Sequence, residues 1–276
     1  MSTHNLSHAR HAPTHCLAPG LFRSLKRGER KRSKLDVVYD YGDGNRIEFS
    51  GPEPLGVDDL RVLQGLVAMG GPRNLVLSPQ PQTEAGRQLR HNLDPRWDAV
   101  HQDAMVVRGS YRALAREIGY ANPEDTRAVR VCIERLWKVS LIVQRDGSRQ
   151  GFRLLSEYFS DDQDGKLYVA LNPLITHAVI GGGQYVRINL DEVRSLRTDP
   201  ARLMYQRLCA LIDPGKVQRV GLDTLCGYVW PDQTNAEAMK KRRQTIRKAL
   251  AELSNVDWTM REYAKGKWEI RRPAPR

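Results

Sequence analysis

The densest chemistry in the chain is cationic. Residues 239–248, MKKRRQTIRK, hold six bases (Lys240, Lys241, Arg242, Arg243, Arg247 and Lys248) and no acid. Ammonium and guanidinium groups at that density neutralise phosphates, and Gln244 among them carries an amide able to pair with an adenine edge. With Ile246 set to face a core, a helical step of about 100° per residue turns Lys240, Lys241, Gln244, Arg247 and Lys248 to the opposite side. Arg242 and Arg243 fall closer to the core side and are expected to snorkel to phosphates near the helix N-terminus. Solvated helices carry bases for solubility too, but a run without one acid, on the second helix of a helix-turn-helix, favours DNA. A second basic run, residues 21–35 (LFRSLKRGERKRSKL), sets Arg23, Lys26, Arg27, Arg30, Lys31, Arg32 and Lys34 against Glu29 alone.

Residues for covalent or hydrolytic chemistry are missing where they would be expected. There is no G-x-x-x-x-G-K-[ST] loop, and Gly181-Gly182-Gly183 is followed by Gln184 and Tyr185, so that run reads as a helix stop or hinge. No histidine pair has the His-hydrophobic-His spacing of a rolling-circle nickase, and no histidine has Arg three residues on, as a tyrosine recombinase would. Asp161, Asp162 and Asp164 before Gly165 resemble a metal loop, but Gln163 stands at a ligand position and no Glu follows at the required spacing, which leaves a turn. His4, His8, His11, His15 and Cys16 lack a recognised ligand spacing and read as a mobile terminus. Cys16, Cys132, Cys209 and Cys226 are scattered without a C-x-x-C pair, so neither a zinc ribbon nor a disulfide framework is expected. The expectation is a binding protein with no catalytic residue, metal or cofactor.

The chain's 276 residues are enough for two domains, and 44 Lys and Arg against 32 Asp and Glu give a formal charge of +12, which asks for an anionic partner. The first thirty residues hold no apolar stretch suited to a signal peptide, and the longest uncharged run, 167–186, is broken by Asn172, Pro173, Thr176, His177 and three glycines. A cytoplasmic protein without membrane contact is expected.

Stepping along the chain, VVYDY and NRIEFS flank Gly42-Asp43-Gly44 with period-two alternation, a β-hairpin. Leu60, Leu63 and Val67 form a helical stripe stopped by Gly70-Gly71-Pro72, and 74–103 is polar, proline-spotted and hard to assign. Ser110 is an N-cap for YRALAREI. A second helix starts near Asn122-Pro123 with Val129, Cys132, Ile133 and Leu136 on one face, and LIVQ and GFRLLSEY then straddle Arg145 to Arg149. The outline recurs. Asp199-Pro200 opens a helix with Met204, Leu208, Leu211 and Ile212 inward, LDTLCGYV follows, a helix runs from about Asn235 to Leu253, and WTMREY and KWEIRR close a hairpin around Lys265-Gly266. The fold expected is α+β: a flexible basic N-terminal arm (1–35), a first winged-helix domain that includes the N-terminal hairpin (36–165), an interdomain segment (166–198) and a second winged-helix domain (199–276). In the first domain Arg127, Val131, Glu134 and Lys138 face outward, a mixed face suited to protein contact or sparse base reading. Arg127 and Arg130 on that helix, Arg145, Arg149 and Arg153 on the first wing, Lys265 and Lys267 on the second, and Arg23, Lys26 and Arg27 on the arm complete the candidate DNA contacts. Wing bases position rather than specify.

HCLAPGLFRSLKRGERKRSKLDVVYDYGDGNRIEFSGPEPLG, CIERLWKVS, RQGFRLLSEY, LYVALNPLI and DTLCGYVWP resemble the replication initiator RepC of IncQ-type broad-host-range plasmids, along nearly the whole chain. The resemblance implies a protein that binds direct repeats, called iterons, at a vegetative origin and promotes opening of an adjacent A·T-rich segment, after which a plasmid-encoded helicase and primase load. It implies paired winged helices, the C-terminal one the stronger reader of double-stranded DNA and the N-terminal one also serving a homodimer, and no catalytic residues. Two readings from the residues stay open: a transcriptional repressor, whose operators would be inverted repeats, and a primase or nickase enzyme, which would act without partner proteins.

Overall fold

The computed structural model describes residues 4, 6–71, 75–77, 80, 84, 87–88, 104–161, 165–180 and 183–274. The reading of 74–103 therefore lies largely outside the described residues, as do Gly181, Gly182, Asp162, Gln163 and Asp164. In chain order, β1 (His8–His11) and α1 (Pro13–Leu17) lead to a 3₁₀ turn (Glu29–Lys31) and the hairpin β2 (Leu35–Asp40) and β3 (Arg46–Gly51). Then come α2 (Val57–Met69), β4 (Leu75–Leu77), β5 (Ala104–Gly109), α3 (Tyr111–Glu117), α4 (Arg127–Trp137), and the strands β6 (Ser140–Arg145), β7 (Ser148–Arg153), β8 (Leu155–Asp161) and β9 (Lys166–Leu171). The remainder is α5 (Pro173–Ile180), β10 (Val186–Asn189), α6 (Leu190–Ser195), α7 (Asp199–Leu211), β11 (Val217–Gly221), α8 (Leu222–Val229), α9 (Ala236–Leu253), β12 (Thr259–Ala264) and β13 (Lys267–Arg271). The result is a mixture of helices and antiparallel sheets.

Local chemistry accounts for most of these boundaries. Asp43 at φ 51°, between Gly42 and Gly44, turns β2 into β3, and Asp146 and Gly147, both at positive φ, turn β6 into β7. The Ser110 hydroxyl accepts from the Ala113 amide (3.1 Å) and starts α3. Helix α4 begins later than Asn122-Pro123, because Asn122 Oδ1 accepts from the Glu124 amide and Asp125 Oδ1 from the Arg127 amide, which holds 122–126 as a turn. Thr198, rather than Asp199, is the N-cap of α7, with Pro200 in its first turn.

Two larger expectations are corrected. The N-terminal arm is built into the core instead of hanging free: β1 pairs antiparallel with β10, from His8 with Asn189 to His11 with Val186, and His11, His15, Cys16, Leu21 and Phe22 are buried. The segment 166–198 is no bare connector either, since β9 pairs with both β5 and β8 and β10 with β1. The N-terminal hairpin joins the β6–β7 hairpin in one sheet, β2-β3-β6-β7; a second sheet runs β4-β5-β9-β8, and the C-terminal one β11-β13-β12.

Helix α2 is the spine. The sequence stripe put one face inward, yet nearly every side of it is buried, Val57, Leu60, Val62, Leu63, Leu66 and Val67 included, as a helix packed all round must be. It touches β1, α3, α4 and α7. Gly65 lets α3 approach closely: a Cβ there would lie 2.4 Å from Ile118 Cγ2 and 2.6 Å from Leu114 Cδ1. At its start Asp59, shut off from solvent, accepts from the Arg135 guanidinium, from Arg30 (3.2 Å) and from the Gly56 amide (2.7 Å), while Arg135 also meets Glu53 at 3.3 Å. On the other flank Gln64 donates to Gln206 of α7 (2.7 Å, buried). Arg272, buried, donates to the carbonyls of Cys209 (2.6 Å), Ile212 (3.1 Å) and Arg187 (2.6 Å), closing the end of α7 against β10.

A buried ion pair is costly to break because the surviving charge stays dehydrated. Replacing Arg135 by Leu is expected to lower unfolding stability by about 3–5 kcal/mol in urea denaturation, and combining it with Asp59→Asn to recover much of that loss. The buried histidines give a pH signature. Neither ring nitrogen of His11 or His15 has a hydrogen-bond partner, and burial pushes their pKa down from 6.5, to about 4 for His11 and about 3 for His15. Unfolded, both take up protons near 6.5 while the native rings stay neutral, so their contribution is whole above that value and is lost as pH falls from about 6.5 to about 4 for His11 and to about 3 for His15. The unfolding free energy from urea titrations is expected to drop across this window by up to about 1.4 kcal/mol per pH unit per ring, and His15→Phe to flatten the slope.

Candidate nucleic-acid interface

The second helix–helix–hairpin unit presents the cationic face. The Asn235 carboxamide accepts from the Ala238 amide (2.9 Å) and fixes the start of α9, and Ile246, Ala249, Leu250 and Leu253 bury its inner stripe. Lys240, Lys241, Gln244, Arg247 and Lys248 are all exposed on the opposite side. Two of them have acidic neighbours: Lys241 sits 2.9 Å from Glu237 one turn earlier, and Arg247 3.6 Å from Glu262 of β12. Exposed pairs of this kind hold little energy and yield readily to a phosphate. Lys265 and Lys267 stand exposed at the tip of the β12–β13 hairpin, beside Gly266 at φ 70°.

Arg242 and Arg243 depart from the snorkelling expectation. Arg243 grips Asp223 of α8 through two bonds (2.6 and 2.7 Å), and these hydrogen bonds hold the Asp223 carboxyl below the usual carboxylate range. Arg242 donates to the Asp232 carbonyl (2.7 Å) with its guanidinium 5.6 Å from the Trp230 ring centroid. Both arginines fasten α9 to α8 and to the turn between them, so they set the angle of the cationic face.

The basic run of the N-terminus is brought to the same place. Arg23, with a side chain only 12% exposed, pairs with Glu29 (2.8 Å) and Asp232 (2.7 Å), and the Ser24 amide donates to the Val229 carbonyl at the end of α8 (3.0 Å). Arg23 is thereby a structural pin. Lys26 and Arg27 remain exposed, joined by Lys31, Arg32 and Lys34, on a 3₁₀ turn that Glu29 caps by accepting from the Lys26 amide (2.8 Å). The signal that this run is anchored is at its head, where the apolar pair Leu21 and Phe22 is buried.

The first unit offers less free charge. Arg127 on α4 and Lys138 at its C-cap are exposed and Glu134 is half-buried, with Val131 41% exposed between them. Arg130 lies over the Tyr111 ring (4.9 Å) and Arg153 over Trp137 (4.1 Å), also donating to the Trp137 carbonyl (3.2 Å). At the wing tip Arg145 is exposed, and Arg149, 59% exposed, lies 3.6 Å from Glu48. Among the described residues no group of three or more His, Cys, Asp and Glu is placed to hold a metal ion, and no helix is long and apolar enough to cross a membrane.

A family model described as replication protein C (RepC) matches residues 3–274. The crystal structure of RctB domains 2–3 (residues 155–483 of that protein) superposes with a TM-score of 0.56 at 11% identity, covering 95% of this chain and 97% of the other. That of the Pi initiator protein in complex with iteron DNA gives 0.47 at 13% identity, over 77% and 87%. No curated protein sequence matches the chain.

Proposed function

The chain belongs to the replication protein C (RepC) family, and from that premise we propose that it is a plasmid replication initiator that binds directly repeated iterons at the vegetative origin. The observation that carries this reading is the exposed face of α9, five residues without an acid among them, held rigid by its own N-cap and by Arg242 and Arg243. A helix of that composition laid in a major groove supplies phosphate neutralisation from its lysines and base-edge contacts from Gln244 and Arg247. We read the two helix–helix–hairpin units as tandem winged helices, a reading supported by the recurrence of that element order and by the likeness of fold to RctB domains 2–3. The second unit is the stronger reader. In the first, the mixed face with Val131 and Glu134 suits protein contact, and we assign to it a homodimer interface on or off DNA.

On this reading the protein works by binding rather than by catalysis, in the cytoplasm. Several copies side by side bend and load the origin, an adjacent A·T-rich segment opens because its steps unstack at low cost, and the plasmid's helicase and primase enter there. The basic turn at 26–34 adds phosphate contacts beside the second unit. Because Arg23 and Ser24 tie it to α8 and its following loop, it has the rigid scaffold needed to aim side chains, unlike a free arm.

Anisotropy titrations on the plasmid's own origin duplex test the assignment. Gln244→Ala is expected to relax one iteron position at a cost of about 1–3 kcal/mol, whereas Lys241→Ala weakens binding to all sequences and lowers the salt slope by about one. Arg127→Ala with Lys138→Ala in the first unit is expected to do less. Equal loss of iteron selectivity from the two units would overturn the asymmetry, and binding confined to inverted repeats would favour a repressor.

A further inference from the structure

One cavity lies apart from the basic face. A groove of about 740 Å³ runs between α1, α5 and the inner face of the β2-β3-β6-β7 sheet. Its sheet wall carries Tyr39, Tyr41 and Phe152, each half-buried and packed on the core. Tyr39 and Tyr41 are two residues apart and so share a face, with ring centroids 6.0 Å apart and planes inclined by 31°. The ladder carries the same face from Val37 through Phe49 and Leu141 to Phe152. The helical wall is largely apolar, with Leu17, Leu174 and Ile180, and the polar groups Arg145, His177 of α5, Gln150 and Gln184 are set among these and two threonines. Among the described residues no carboxylate lines it, and by strand alternation Asp36, Asp40 and Glu48 fall on the sheet's other face.

Aromatic faces take planar rings, carboxamides take ring edges, and a guanidinium takes a phosphate; together these recognise a nucleotide unit. Duplex DNA cannot use such a wall, since its bases already stack on each other. A free triphosphate would call for a lysine in a glycine loop, which the chain lacks. A single strand brings about one phosphate per base, matching several rings served by few cations. We propose that this groove holds single-stranded DNA released when the origin opens. The proposal rests on the initiator reading, which sets the Arg145 wing on duplex and so places the groove where a separated strand would leave it.

Fluorescence anisotropy with dye-labelled oligo(dT), alongside the origin duplex, tests this. Wild-type chain is expected to bind both. Tyr41→Ala, and independently the exposed Gln184→Glu, which adds a carboxylate to the lining without touching the core, are each expected to weaken oligo(dT) binding roughly tenfold and to change duplex binding by less than about twofold. An iodouracil-substituted strand is expected to photocrosslink to Tyr39, Tyr41 or Phe152. Unchanged oligo(dT) affinity in both variants, or crosslinks confined to α9, would overturn the proposal, and displacement of oligo(dT) by free ATP would reassign the groove to a mononucleotide. Wild-type chain that binds oligo(dT) but not the origin duplex would sink the initiator reading and leave the groove standing.

Discussion

A carboxylate cut off from water must be answered by charge and by N–H groups, and the fold is arranged around one such demand at Asp59. Sitting in the first turn of α2, it is favoured by the helix dipole and accepts the Gly56 amide, but burial still pushes its pKa up, and two guanidiniums pull against that. Each guanidinium comes from a different part of the chain: Arg135 from α4, the second helix of the first unit, and Arg30 from the N-terminal basic turn. One buried charge therefore fixes three elements relative to each other. It does so with direction, which apolar packing alone lacks.

From α2 the constraint passes to the second unit. Gln64 meets Gln206 in the core, and Arg207 donates to the Leu17 carbonyl, fastening α7 to the end of α1. The N-terminal segment does the rest: β1 seals against β10, Leu21 and Phe22 enter the core, and Ser24 and Arg23 close on the end of α8 and the loop beyond it. The consequence for function is geometric. On the proposed reading, two helices facing DNA at a set spacing would suit repeats of set length, and a basic turn wedged beside one of them would add charge without adding freedom. The ordering entropy of that turn is met on folding instead of on binding.

What could be read from sequence was what local chemistry decides. The Ser110 cap, the start of a helix near Asn235, the turns at Asp43, Asp146-Gly147 and Gly266, and the outward set on α9 all follow from residues within a few positions of each other. What was missed depends on distant partners. Nothing in HARH announces pairing with VRIN some 180 residues later, and the alternation of so short a strand is no signal. Arg135, between Glu134 and Leu136, carries no local sign of its role, because its partner Asp59 lies 76 positions away. That Arg243 would meet Asp223 and Arg242 the Asp232 carbonyl was likewise not legible, since these partners lie 10 to 20 positions away. The basic arm misled for the same reason: its composition is that of a free tail, while its anchors are two apolar residues at one end and contacts at 55, 59, 229 and 232.

The central claim is that both units are held on one scaffold and engage DNA together. Hydroxyl-radical footprinting of the full chain on a duplex carrying a single origin repeat tests it most directly. Two helices in successive major grooves on one face predict protection over about two turns, ~20 bp, from one bound chain. Protection limited to about one turn, ~10 bp, would contradict the account, since one unit would then be off the DNA.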